Sequence, residues 1–296
     1  MLPGGHEDES EGHIDRQFQA AHEFLEAART AFSPEIPRRR VYLVPVNHDI
    51  RRQLATKPLQ KYLADIKHDE LTEECRAAGE EWKSYLGRLR DYQNFLAANG
   101  YEHLLPAETQ KWLIYADTFN VGDDLTVGIA GLNTAWTCGQ GDKAGHLRLC
   151  GEFQVETLRP TVKPAQVRIA LMHHPWNWFA GAEGAQTRQR IEQDYHFLLH
   201  GHEHQSWVDP KEFDATGHRH NTIAAGACYD RADKENGYNI VRLDLDAGRG
   251  EVFLRRFSGG SWVKNESKNA PEGIWPIKAP RIGAAKPAAP AAKPEE

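Results

Sequence analysis

Apolar side chains recur every three or four residues near the start of the chain, at Ile14, Phe18, Ala21, Leu25, Ala28 and Phe32. That spacing is one face of an amphipathic helix, closed at Ser33-Pro34. After the basic run Arg38-Arg39-Arg40, apolar residues become continuous at Val41-Tyr42-Leu43-Val44-Pro45, which predicts a short buried strand ending in a loop. A helical region spans about 58–99, with Trp82, Tyr85, Leu89, Tyr92 and Leu96 on one face and Asn99-Gly100 as its stop. Its lack of strand signals marks it as an inserted helical cap.

From Trp112 the texture changes. Trp112 to Phe119 and Leu125 to Leu132 read as strands joined in a hairpin across Val121-Gly122-Asp123-Asp124. Residues 151–159 predict a short helix stopped by Pro160, and Val167 to Met172 another apolar strand. A polar helix over about 186–193 leads into the strand-like Phe197-Leu198-Leu199. Tyr238 to Leu245 and Glu251 to Phe257 form a second hairpin around Asp246 to Gly250. Strands that first alternate with helices and later come as hairpins predict a layered α/β or α+β domain with a mixed sheet. The Ala/Pro/Lys-rich residues 281–296 predict a disordered tail, leaving 1–280 as one domain.

A net charge of -6 argues against a protein whose main task is gripping duplex phosphates, so nucleic acid is not favoured as a partner. No apolar run is long enough to span a bilayer, and the N-terminal residues lack the basic flank and apolar core of a signal peptide. A cytoplasmic protein without membrane association is expected. Four cysteines against fifteen histidines exclude a disulfide framework and direct any metal chemistry toward nitrogen and oxygen ligands. Cys75, Cys138, Cys150 and Cys228 have no paired spacing and read as free thiols, with Cys228 buried.

Three places share one design, a short apolar run that ends in a histidine-bearing loop. Val41 to Pro45 leads to Asn47-His48-Asp49, Ile169 to Met172 leads to His173-His174-Pro175, and Phe197 to Leu199 leads to His200-Gly201-His202-Glu203-His204. Loops at strand ends are where α/β sheets place ligands, so the three can converge. Neutral imidazoles and an amide oxygen suit zinc, manganese or iron. Each motif has a duller reading: a polar turn for the first, and surface histidines before a proline-restricted turn for the second. The third is harder to dismiss, because alternating imidazoles after an apolar strand have no packing purpose. In a strand-like conformation His202 and His204 would share a side, with Gly201 admitting a close backbone approach. His103, His146, His218 and His220 read as solvated or locally hydrogen-bonded.

Together these motifs resemble those of the calcineurin-like metallophosphoesterases. The family pattern is Asp-x-His, Gly-Asp, Gly-Asn-His-Asp/Glu, a His-x-Pro loop and Gly-His-x-His. This chain carries Asn47-His48-Asp49, with Val46 in place of the usual glycine, then His173-His174-Pro175, then Gly201-His202-Glu203-His204. Gly131 to Trp136 and Ala225 to Tyr229 fall in fitting places, so the resemblance covers about 14–262. It implies a layered β-sandwich flanked by helices and hydrolysis of phosphomonoesters or phosphodiesters of small molecules or nucleotides. By the same resemblance Asn47, His173 and His202 are ligands of one of two divalent metals, and His204 is a ligand of the other. His48 is implied to face the phosphate, with Asp49 orienting its ring. His174 is implied to be a loop residue.

No Asp-x-His tripeptide precedes Asn47, and Gly4-Gly5-His6-Glu7-Asp8 stands where a Gly-Asp loop would fall, with His6 or Asp8 as a degraded remnant. The expected fold is therefore N-terminally incomplete, with one metal retained of two. Three readings follow: a metal-dependent phosphoesterase, a non-catalytic binding or regulatory module on the same fold, and a metallo-β-lactamase-like histidine cluster. The last ranks lowest, because Glu203-His204-Gln205 stands where that cluster wants Asp-His. The Trp176-Asn177-Trp178-Phe179 loop is read equally as a substrate-choosing wall and as packing.

Overall fold

The computed structural model describes residues 11–213, 215–228 and 236–282. Its centre is a six-stranded mixed sheet: β1 (Tyr115–Val121), β2 (Leu125–Gly131), β3 (Val167–Leu171), β4 (Phe197–His200), β5 (Trp207–Phe213) and β6 (His218–Ala224), in spatial order β1-β2-β3-β4-β6-β5. The four inner strands β2, β3, β4 and β6 are mutually parallel, and each edge strand is antiparallel to its neighbour. β2, β3 and β4 are short and largely apolar, as parallel strands covered on both faces must be, whereas β6 is polar until Ile223-Ala224. Helices flank this sheet, which makes the domain a mixed α/β one.

The β1/β2 hairpin closes on Gly122-Asp123-Asp124, as the sequence predicts. Helix α6 (Gly151–Val162) packs on β1 and β2 and against α7 (Glu183–Asp194). Gly151 is required at that crossing, because a Cβ there would lie 2.3 Å from the Thr187 hydroxyl. Pro160 does not stop α6, which continues to Val162. The proline sits in the last turn and is exposed, so the carbonyl it leaves unpaired can turn to water.

A four-stranded sheet completes the layers: β7 (Gly237–Asp244), β8 (Arg249–Ser258), β9 (Ser261–Lys264) and β10 (Ile274–Lys278), with order β10-β8-β7 and β9 on β8. The Asn221 amide donates to the Lys278 carbonyl at 2.9 Å and the Asn239 amide to the Ala224 carbonyl at 2.8 Å, tying this sheet to β6. Val252, Leu254 and Ile277 are buried on its inner side.

The N-terminal amphipathic pattern folds as α1 (Glu11–Thr30), with Phe18 stacked on Phe95 at 5.0 Å. The region 58–99 is four helices rather than one: α2 (Lys57–Asp65), α3 (His68–Ala77), α4 (Glu80–Leu86) and α5 (Arg90–Ala98). The periodic residues Trp82, Tyr85, Leu89, Tyr92 and Leu96 are all buried, in the same apolar cluster as the sheet residues. Ala78 takes the left-handed conformation that ends α3. No described helix is long and apolar enough to cross a membrane.

One difference from the sequence pattern bears on the site. Val41 to Val46 is extended but belongs to no strand. It lies along β1 through side chains: Tyr42 donates to the Asp117 carboxylate at 2.7 Å, Arg40 to the Asn120 carbonyl at 3.3 Å, and the His103 ring lies 3.0 Å from the Val41 carbonyl. The hydrophobic run supplies burial, but no ladder partner stands beside it among the described residues. Residues 6 and 8 and the tail from 283 lie outside those residues, so the expectations for them meet no observation.

Arg88 is 1% exposed and, among the described residues, bonds to no carboxylate, with Asp142 as its nearest acidic influence; its guanidinium donates to the carbonyls of Tyr85, Cys138 and Trp136. Burial alone lowers its pKa, and the three carbonyls offset that cost. Arg88→Met would keep the stem and strand three buried acceptors, with an expected loss of about 2–4 kcal/mol, read as a fall in the urea midpoint. An unchanged midpoint would refute this role.

A second prediction concerns pH. His196 is buried, and its Nδ1 accepts the Arg168 backbone N–H at 3.1 Å, so protonation there would set two hydrogens face to face. Burial, then Arg168 and the neighbouring His218 and His220, hold its pKa down at about 3. The unfolded chain takes up this proton below about pH 6.5 while the folded chain does not. Stability should therefore fall from about pH 6.5 toward about 3, by on the order of a few kcal/mol. His196→Asn should flatten that slope in urea titrations at several pH values; an unaltered slope would refute it.

Candidate metal centre

Parallel pairing sets the site. Leu171 of β3 lies opposite Leu199 of β4, so both strands end at the same edge and their loops emerge side by side. The loops remain bonded past the strands: Met172 N–H donates to Leu199 at 3.1 Å and Gly201 N–H to the His173 carbonyl at 3.2 Å. On the other flank Leu132 N–H, just past β2, donates to Leu171 at 2.9 Å. The carboxyl ends of β2, β3 and β4 thus deliver Thr134, His173-His174 and His202 to one place, the usual ligand position of an open α/β sheet.

Asn47 arrives from the turn after the extended segment. Its Oδ1 lies 2.9 Å from His173 Nε2, and His202 Nδ1 lies 3.1 Å from the same nitrogen. Donors at ~2.1 Å stand ~3 Å apart on a six-coordinate ion and ~3.4 Å apart on a tetrahedral one, so these separations lie near those of adjacent ligands of one ion. One N–H on His173 could instead reach only one of the two partners with good geometry. The chemistry of the donor set, one amide oxygen and two imidazoles, suits a divalent transition ion. His173, His174 and His202 bring ring nitrogens within 4.8 Å of one another, the only such grouping of three ligand-type side chains among the described residues.

Protonation states fit as well. Burial, then the neighbouring imidazoles His174 and His202, holds His173 well below the usual histidine range. Burial and His202 do the same for His174, and burial with His204 and His200 holds His202 at about 4. All three rings are neutral near pH 7, with lone pairs available.

His202 and His204 both have positive φ, 73° and 56°, so the motif turns rather than continuing β4. The strand-like arrangement expected from the sequence is replaced by a turn in which Glu203 N–H donates to Gly201 at 3.0 Å. Left-handed backbone at a non-glycine residue costs of order 1–2 kcal/mol, a strain of the kind found at ligand-holding loops. His202 is held in place by Trp178, whose ring meets it edge-on at 4.1 Å. His204 is half-buried and lies outside the three-histidine cluster.

His48 is half-buried, next to Asn47 on the same turn. Asp49 closes that turn, its Oδ2 accepting the Val46 N–H at 2.9 Å. Burial raises its carboxyl to about 7, against the opposing effect of that N–H.

Sequence reasoning set His174 aside as a loop residue, whereas the structure buries it inside the cluster. It did not find Thr134, whose hydroxyl touches His173 and His174, or Cys138, whose sulfur lies 3.6 Å from His174 Nε2. Cys75, Cys138 and Cys150 are buried free thiols, and Cys228 is half-buried rather than buried.

No protein-family model and no curated protein matches the chain. Among solved structures it is similar to Vps29 of Entamoeba histolytica. A singly substituted variant aligns at TM-score 0.23 and 12% identity over 50% of this chain and 56% of that one. A doubly substituted variant aligns at 0.24 and 15% over 51% and 58%, and the wild-type protein complexed with zinc at 0.22 and 14% over 50% and 56%. The chain thus spans little more than half the length of these proteins, at a level of overlap that carries no argument about its activity.

The geometry predicts one tightly held zinc or manganese ion per chain, measured by elemental analysis after dialysis. His173→Ala and His202→Ala should each abolish retention, and Asn47→Ala should weaken it about 10–100-fold. Full retention in the double histidine variant would exclude this corner as the metal site.

Proposed function

We propose that this chain is a metal-dependent phosphoesterase domain of the calcineurin-like type, acting on a phosphomonoester or phosphodiester of a small molecule or nucleotide. The supporting observation is the convergence of Asn47, His173 and His202 on one point, with His48 on the same turn as Asn47. Asn47, His173 and His202 hold the cation in this reading. When bound, it supplies Lewis-acid stabilisation of charge on a phosphoryl group. The chain's residues do the rest. Water attacks the phosphorus and loses a proton to solvent as the P–O bond to the leaving group breaks, and His48 delivers a ring proton to that leaving oxygen, the work of a general acid. Trp178 covers one side of His202 and keeps that imidazole from rotating away. The buried surroundings of His173 keep the ligand nitrogens unprotonated across the neutral range.

A second reading, a non-catalytic phosphate-binding module, draws support from the carboxylates. Asp49 is committed to the Val46 N–H and Glu203 to the Trp207 indole at 2.9 Å. Among the described residues no second group of three ligand-type side chains supplements the first.

Manganese-loaded full-length protein assayed with p-nitrophenyl phosphate and bis-p-nitrophenyl phosphate separates the two. Turnover that falls about 10²–10⁴-fold in His48→Ala, with metal content unchanged, supports the enzyme. Metal retention and phosphate binding without turnover would overturn it in favour of the binding module.

A further inference from the structure

The paired histidines at the end of β3 do not have equal standing, and one buried hydroxyl divides them. Thr134 is 0% exposed. Its Oγ1 lies 3.3 Å from the backbone nitrogens of both His173 and His174 and 3.0 Å from His174 Nδ1. A hydroxyl has one hydrogen to give and two lone pairs to receive. The backbone N–H groups can only donate, so together they occupy both lone pairs. The remaining contact can then be made only by the Thr134 hydrogen pointing at His174 Nδ1.

That count points to one His174 tautomer, against the Thr134 backbone carbonyl, which also faces the ring and would take a hydrogen from it. Nδ1 is the acceptor, so the ring proton sits on Nε2, which faces Cys138 Sγ at 3.6 Å. Both ring nitrogens are thereby committed within the protein. His173 differs, since its Nε2 faces Asn47 and His202.

The loop that carries Thr134 is itself pinned. The Gln154 side chain, 2% exposed on α6, accepts the Asn133 N–H at 2.9 Å and donates to the Asn133 carbonyl at 3.0 Å. Asn133 Oδ1 accepts the Ala135 N–H at 3.1 Å, and Asn133 Nδ2 donates to the Trp112 carbonyl at 3.1 Å. Farther along, Arg88 holds the carbonyls of Trp136 and Cys138. A hydroxyl between two pinned points has little freedom to turn elsewhere.

We infer that Thr134 is a positioning residue that locks His174 as the neutral Nε2–H tautomer. His174 thereby acts as a buttress, and His173 is the one ligand of the pair. This deepens the metal reading above, and the first part of its test does not depend on a metal. Nitrogen-15 spectra of metal-free, histidine-labelled full-length protein report each ring's tautomer, with His174 assigned by its loss in His174→Gln. The Nε2–H form is expected; an Nδ1–H form would overturn the inference whatever the metal does.

The second part uses zinc as the probe. Thr134→Val keeps the shape and removes the hydroxyl; it should release His174 into mixed tautomers and weaken zinc binding about 10–100-fold. Thr134→Ser should restore the tautomer and return affinity to within about threefold of the parent. Unchanged tautomer and affinity in Thr134→Val would overturn the role, as would failure of serine to rescue. A wild-type chain that binds no zinc yet shows the Nε2–H tautomer would sink the metal reading and leave the hydroxyl's role standing.

Discussion

The parallel pairing of β3 with β4 is the constraint on which the site depends. Only parallel neighbours end at the same edge, and here three of them, β2, β3 and β4, release their chains into loops that stay hydrogen-bonded beyond the strands. His173 and His202 are brought within reach of each other because Leu171 and Leu199 are register partners. The apolar burial that holds the inner strands therefore also holds the donor geometry. A one-residue slip between β3 and β4 would turn each side chain to the opposite face and take the donors apart.

Around this frame the buried polar groups are arranged by what they can satisfy. Arg88 is placed among three carbonyls, while Arg148 pairs with Glu183 and donates to the Ile66 carbonyl at 2.9 Å. Glu183 in turn accepts the Leu149 N–H at 3.0 Å, so the ion pair is hydrogen-bonded on both sides. These contacts join the helices of 57–98 to the loop that follows β2. Energetically the helices belong to the same core as the sheet.

The histidine loops were legible in the sequence because each follows an apolar run and imidazoles in series have no packing use. The β1/β2 and β7/β8 hairpins were legible from alternation and turn residues. Strand β5 was not, because Pro210 and the charged Lys211 and Glu212 break the apolar signal that marks a strand. As an edge strand with one neighbour it tolerates a proline. Strand β6 was hidden by His218, Arg219 and His220 at its start, although it is buried from His220 onward. Val41 to Pro45 erred the other way: burial made it hydrophobic, and hydrophobicity alone does not make a ladder. Thr134 carries no periodic or motif signal, since what distinguishes it is the number of hydrogens that converge on one oxygen.

That missing ladder gives the site a mechanical asymmetry. Two of its three donors stand on hydrogen-bonded strand ends and move only with the sheet. The third, Asn47, stands between an extended segment held by side-chain contacts to Asp117, Asn120 and His103 and a turn anchored on its far side, where Ile50 is buried and the Arg51 N–H donates to the Arg88 carbonyl at 2.9 Å. Two donors thus come from the sheet and one from the seam between β1 and the helices of 57–98, so the corner closes only where those two parts of the core meet. A donor set of one amide oxygen and two imidazoles leaves the choice among zinc, manganese and iron to ligand chemistry and supply.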